Sequence, residues 1–295
     1  MLILTLDTNL SAGRTALPEH LGGVLHGFVE RSILNHAPHL MPILRPADGN
    51  IEPHYALMPP HYGARIENRL RFGLKLFSKA EGTWLQFARA LMLQRHSGIE
   101  GRSVHVLGVH LSTMAGETVQ VASDDRWHIS AEEEIPHFSS APSKRFPILA
   151  DQPSGACPVL TFGNPMTLGS RHKQRSEELL PWPSLGSILS SIAKRIQALE
   201  PELAAALQLP PHWRPPAELT EVLPFISSAA PATRWTWRYK PSIPIPVVTG
   251  TLAYPAIDIA FGNELLYLGQ WMGVGGRAGL GFGHYVLSQL KWSEP

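Results

Sequence analysis

The order in which hydrophobic periodicity changes along this chain constrains its fold more than any other feature. Residues 2–8 alternate as a strand does, and 17–34 carry Leu21, Val24, Leu25, Phe28 and Ile33 at helical spacing. Residues 53–58 and 65–76 read as two further strands, 83–94 as an amphipathic helix and 104–111 as a strand. The resulting order, β-α-β-β-α-β, is the split βαβ arrangement, in which two helices cover one face of a four-stranded antiparallel sheet. The second half repeats it loosely: strand 158–166, helix 185–199, strands 235–240 and 247–254, helix 264–272 and strand 282–290. Proline-rich residues 201–231 interrupt that repeat as an irregular insertion. The expectation is an α+β protein of two tandem ferredoxin-like (RRM-like, βαββαβ) domains with antiparallel sheets. Residues 1–130 form the first and 157–295 the second, and 131–156, with Glu132 to Glu134 and scattered Pro and Ser, form the linker.

At 295 residues, each half is large enough for its own core. No uncharged apolar run approaches the roughly 18 residues that a membrane span needs, so the expectation is a protein without a membrane partner. The first residues form an apolar strand without a basic leader, and a cytoplasmic location is expected. The single cysteine, Cys157, has no internal partner, and its apolar neighbours predict burial in a strand. The 14 histidines are scattered, with neither HExxH nor paired CxxC, so neither metal nor cofactor is expected. With 25 basic and 24 acidic side chains, any surface for a polyanion must be local.

One segment stands out: Gly273-Val-Gly-Gly-Arg-Ala-Gly-Leu-Gly-Phe-Gly283, six glycines in eleven residues between a helix and the last strand. Successive exposed N–H groups beside Arg277 would make a concavity for phosphates, and a plain turn is the alternative. Gly273 to Ala278 fits GxGxxA, but that dinucleotide motif must follow a strand and precede a helix and a distant acidic residue. Only 12 residues follow Gly283, which rules it out.

The helix ending at Met272, this glycine run and Gly281-Phe-Gly-His-Tyr285 resemble the C-terminal signature of CRISPR repeat-processing endoribonucleases of the RAMP superfamily. Val248-Thr-Gly-Thr-Leu-Ala-Tyr254 and Leu160-Thr-Phe-Gly-Asn-Pro-Met-Thr-Leu168 are similar to strands of that family, with Asn164 where threonine is commoner. Leu25-His-Gly27, residues 59–72 and Gly98-Ile-Glu-Gly101 carry a weaker likeness in the first half.

The resemblance implies two ferredoxin-like domains and metal-independent cleavage of precursor transcripts into guide RNAs. In that reaction a ribose 2′-OH attacks its own 3′ phosphate and leaves a 2′,3′-cyclic phosphate. Such chemistry needs a proton acceptor, a proton donor and charge stabilisation at the phosphorane. The family's histidine lies in or just after the first helix, so the catalytic candidates are His26, in Gly22-Gly-Val-Leu-His-Gly27, and then His39 and His36 beside Pro38. For RNA binding the candidates are Gly273, Gly275, Gly276, Arg277, Gly279, Gly281 and Gly283. To these are added the basic cluster Arg171, Lys173 and Arg175, Arg195 next to Lys194 on the following helix, and Arg238. Arg238 lies in Trp235 to Lys240, where aromatic and basic groups alternate as in a base-stacking strand. The implied partners are a CRISPR repeat RNA hairpin and other subunits of a CRISPR effector complex. The rival reading is a non-catalytic RAMP subunit that holds guide RNA.

Overall fold

A computed structural model describes residues 1–13, 16–46, 53–94, 98–114, 116–123, 126–128, 157–167, 182–225, 232–240, 243–255 and 262–290. Positions 238–240, 243, 289 and 290 are described by backbone alone. The expected linker, 131–156, lies outside the described residues. The chain divides into two compact units, Met1–Ile148 with Gly279–Gly281, and Leu149–Ala278 with Phe282–Pro295. Among the described residues, no helix is long and apolar enough to cross a membrane.

The first unit contains β1 (Leu2–Leu10), α1 (Gly22–His36), β2 (Tyr55–Met58), β3 (Arg69–Leu76), α2 (Trp84–Leu93) and β4 (Val104–Thr113). Its sheet runs β2-β3-β1-β4-β5-β6, where β5 is Thr118–Ser123 and β6 is Arg126–Trp127. The first four strands take the order and antiparallel pairing that βαββαβ requires. The last two add to the β4 edge and were not legible in the periodicity. Strand alternation puts Leu4 and Leu6 on one face, opposite Leu74 and Phe72. These four side chains are at most 1% exposed, as are Leu25, Phe28 and Ile33 of α1 and Phe87 and Leu91 of α2. Together they form the core.

The second unit repeats the plan: β7 (Cys157–Met166), α3 (Leu185–Leu199), β8 (Thr233–Lys240), β9 (Ile243–Ala253), α4 (Gly262–Met272) and β10 (Tyr285–Leu290). Its antiparallel sheet runs β10-β7-β9-β8, the same order as the first. Ser184 caps α3, its hydroxyl accepting from the Ser187 N–H at 3.2 Å. The insertion is only partly irregular, since Pro201–Ala206 is helical and Ala217–Thr220 forms a 3₁₀ turn. Cys157 is buried as expected, paired across the sheet with Leu290.

Candidate active site

Helix α1 buries Leu25, Phe28, Val29, Ser32 and Ile33, the i, i+3, i+4 stripe of a core-facing helix. His26 follows that stripe by one position, so its ring is only partly covered. Its Nδ1 lies 2.5 Å from the hydroxyl of Tyr55, and the two rings are stacked within 9° of parallel. Tyr55 is fully buried in β2, and its hydroxyl donates to the carbonyl of Gly279 at 3.4 Å. A carbonyl can only accept, and a tyrosine hydroxyl has one proton. With that proton on Gly279, the Tyr55 oxygen accepts from Nδ1–H of His26, and the Nε2 lone pair remains available as a base.

Electrostatics favour the neutral ring. Burial holds the His26 pKa below its usual 6.5. Glu30, one helical turn away, pulls it upward, the Arg45 guanidinium pushes it down again, and the Gly279 carbonyl raises it. Glu30 and Arg45 form an ion pair, so these two charges largely offset one another at the ring. Arg45, supplied by the short helix Met41–Leu44 and its C-cap, was not among the residues the sequence singled out.

The other two histidine candidates are not gathered at this point. His36 ends α1, exposed, with Nε2 3.1 Å from Gln94 Oε1, ten residues or about 15 Å along the helix from His26. His39 is exposed on the 3₁₀ turn Pro38–Leu40. Two histidines that the sequence did not single out are buried: His20, whose Nε2 donates to the Leu280 carbonyl at 3.1 Å, and His54, whose pKa burial lowers.

The glycine run is built differently from the expected cradle of outward N–H groups. The Gly273 N–H bonds Gly269 O at 2.8 Å, Val274 bonds Gly283 O at 2.9 Å, and Gly276 bonds Thr167 O at 2.9 Å. Gly275 donates to Ser191 Oγ at 2.8 Å, and Gly283 to Pro165 O at 2.8 Å. At these positions the expectation of exposed donors is corrected: the N–H groups hold the loop to β7, α3 and α4. Glycine is required at Gly283, where φ is +78° and a Cβ would stand 1.8 Å from the Val274 carbonyl. Within the first unit, Gly279 meets Tyr55 as described, and a Cβ on Gly281 would strike Pro59 at 2.4 Å. Arg277 itself adopts a left-handed φ of +65°.

Arg195 is 3% exposed, and its Nη1 donates to Gly275 O at 3.2 Å, so it props the loop from the core side. Arg171, Lys173 and Arg175 lie outside the described residues, as does the side chain of Arg238. Of the aromatic strand, Trp235 donates to Thr249 Oγ1 at 3.2 Å and Trp237 packs edge-on against Phe282 at 4.9 Å. Both rings therefore have partners inside the second unit. Among the described residues, no three His, Cys, Asp or Glu side chains are grouped to hold a metal ion.

The family model described as CRISPR-associated endoribonuclease Cas6 matches residues 160–285, from β7 through the glycine run to β10. Over that span, somewhat under half of the chain, the sequence is similar to the Cas6 family. Among curated proteins, none matches the sequence. Among solved structures, a Thermus thermophilus Cas6 in a product complex is similar, with a TM-score of 0.57 and 20% identity, over 97% of this chain and 98% of that one. A second Cas6 product complex gives 0.52 at 16% identity, over 98% and 100%. A partial Cas6-RT-Cas1–Cas2 complex gives 0.54 at 13% identity, over 100% of this chain and 47% of the other. The described residues therefore have the tandem ferredoxin-like fold of those Cas6 structures.

Proposed function

We propose that this protein binds CRISPR repeat RNA and cuts precursor transcripts into guide RNAs without a metal ion, with His26 as the general base. The observation that carries this reading is the His26–Tyr55–Gly279 chain, which supports a neutral imidazole with a basic Nε2. In the reaction, Nε2 takes the proton of the ribose 2′-OH as its oxygen attacks the adjacent 3′ phosphorus. The bond from phosphorus to the 5′ oxygen breaks, and that oxygen leaves as a hydroxyl after accepting a proton from a second group. His39 and His36, which the fold does not gather with His26, are alternatives to it as the catalytic histidine rather than that donor. The products are a 2′,3′-cyclic phosphate and a 5′-OH.

RNA holding falls to side chains more than to backbone N–H groups. Arg277 on the glycine run, with Arg171, Lys173, Arg175 and Arg238, would neutralise phosphates, while Arg195 acts indirectly by fixing the loop. The proposed domain assignment is 1–130 and 157–295 joined by 131–156, and the proposed partners are the repeat hairpin and other effector-complex subunits.

The test is incubation with repeat RNA in EDTA, beside a copy carrying one 2′-deoxyribose at the cut site. Cleavage of the all-ribose RNA alone, leaving a cyclic phosphate end, is expected. Binding of both without cleavage of either would instead assign the chain to RNA holding.

A further inference from the structure

Along α1, lined by the residue that follows His26 in the chain, lies a cleft of about 600 Å³. Gly23, Gly27 and Arg31 line it on the helix, and Gly98, Glu100 and Gly101 line it on the opposite side. All of these belong to the first unit. Two features of its walls are locally unfavourable, and packing accounts for neither.

The first is Gly27. Glycine in a helix interior is disfavoured relative to alanine, and here nothing in the fold demands it. A Cβ at Gly27 would have no heavy atom within 4 Å. What that missing side chain leaves open is the cleft itself.

The second is Glu100. Ile99 and Arg102 exchange backbone hydrogen bonds of 2.9 and 3.0 Å around Glu100-Gly101, whose φ values are +49° and +74°. Two positive φ values define a type I′ turn, a position that ordinarily takes Asn-Gly. A glutamate held left-handed at a cleft rim marks a functional constraint in the sense that stored backbone strain does. Arg31 donates to Gly98 O at 3.1 Å and so ties this turn to α1, which fixes the width of the slot.

We propose that the cleft is a slot for the nucleobase flanking the cut phosphate, with the Glu100 carboxylate accepting from that base's amino group. This rests on the reading of His26 as the base, since Gly27 is its chain neighbour. Charge gives a phosphate no net attraction to the slot: Glu30 is paired with Arg45, and Glu100 opposes Arg31 on its walls. Walls of bare backbone suit a flat ring, and a carboxylate pairs with the amino groups of cytosine or adenine, or with the adjacent N1–H and amino group of guanine. Uracil offers no amino group.

The experiment compares single-turnover cleavage of repeat RNA with copies made abasic on the 5′ or the 3′ side of the cut, for wild type, Gly27→Leu and Glu100→Asn. Wild type is expected to favour intact RNA over one abasic copy by about 10-fold or more. Gly27→Leu should cut intact RNA at the abasic rate, and Glu100→Asn should lose discrimination against uracil in that position. Neither should melt lower, and Gly27→Ala should melt about 2–4 °C higher than wild type. Equal cleavage of all three RNAs by wild type, or equal slowing of intact and abasic RNA by Gly27→Leu, overturns the slot and leaves the His26 reading intact. If wild type cuts none, the cleavage reading fails separately. The same RNAs are then compared by binding anisotropy, where loss of the preference in Gly27→Leu supports the slot and an unchanged preference overturns it.

Discussion

The Nδ1 atom of His26 lies 2.5 Å from the Tyr55 hydroxyl, which in turn donates to a backbone carbonyl. That relay leaves the other ring nitrogen as the proton acceptor. Replacing Tyr55 by Phe keeps the buried ring and removes only the relay. The expected result is a single-turnover rate lower by roughly 10- to 100-fold, from about 1–3 kcal/mol of lost hydrogen bonding. RNA affinity should be unchanged. A His26→Ala variant should lose more, about 10²- to 10⁴-fold, and rates equal to wild type would remove His26 from the mechanism.

The lowered pKa of His26 sets the acid side of the pH profile. An ordinary histidine is half protonated at 6.5, whereas burial keeps His26 more than half neutral there. The acid limb of the cleavage profile should therefore have its midpoint below pH 6.5, and a midpoint above 6.5 would contradict the burial argument.

The same shift affects stability. Because the folded pKa is depressed, the unfolded chain takes up the proton first as pH falls. The contribution of neutral His26 is present above 6.5 and is lost as pH drops from 6.5 through the folded value. Thermal melts between pH 7.5 and 5 should fall less for His26→Gln than for wild type.

Two alanine substitutions separate backbone need from space. Gly283→Ala puts a Cβ 1.8 Å from the Val274 carbonyl in a left-handed residue, and should cost several kcal/mol, on the order of the largest point-mutant effects. Gly82→Ala, at φ −64° with nothing within 4 Å, should be neutral or stabilising by about 0.4–1 kcal/mol. Denaturant midpoints measure both.

Arg195 and Arg277 should differ in kind. Arg195→Met removes a buried donor to Gly275 O and should lower stability by about 1–3 kcal/mol. It should leave the salt dependence of RNA binding unchanged. Arg277→Ala should reduce the salt slope by about 1. The reverse pattern would show that Arg195, not Arg277, meets the phosphate.

The order of elements could be read from the sequence because alternation and 3.6-residue periodicity are backbone-imposed, and residues 185–199 form a helix over the range expected. Strands β5 and β6 were not, since six and two residues carry too little periodicity to register. His26 could be singled out by its position in the first helix. Tyr55 could not, because a tyrosine in a buried strand looks like core until the register and the fold bring its hydroxyl to a histidine 29 residues earlier. The glycine run was visible as a loop, but its density suggested open donors. In the fold, those donors bond back to Thr167, Ser191 and Pro165, partners distant in sequence.

Cys157, the only thiol in the chain, lies buried in β7 opposite Leu290. Maleimide chemistry at neutral pH should therefore find no reactive sulfur on the native surface. A cysteine placed at an exposed site such as Leu34 or Val286 becomes the single point of attachment for a fluorophore. Distance measurements on the working protein can then begin from the wild-type sequence, without first building a cysteine-free background.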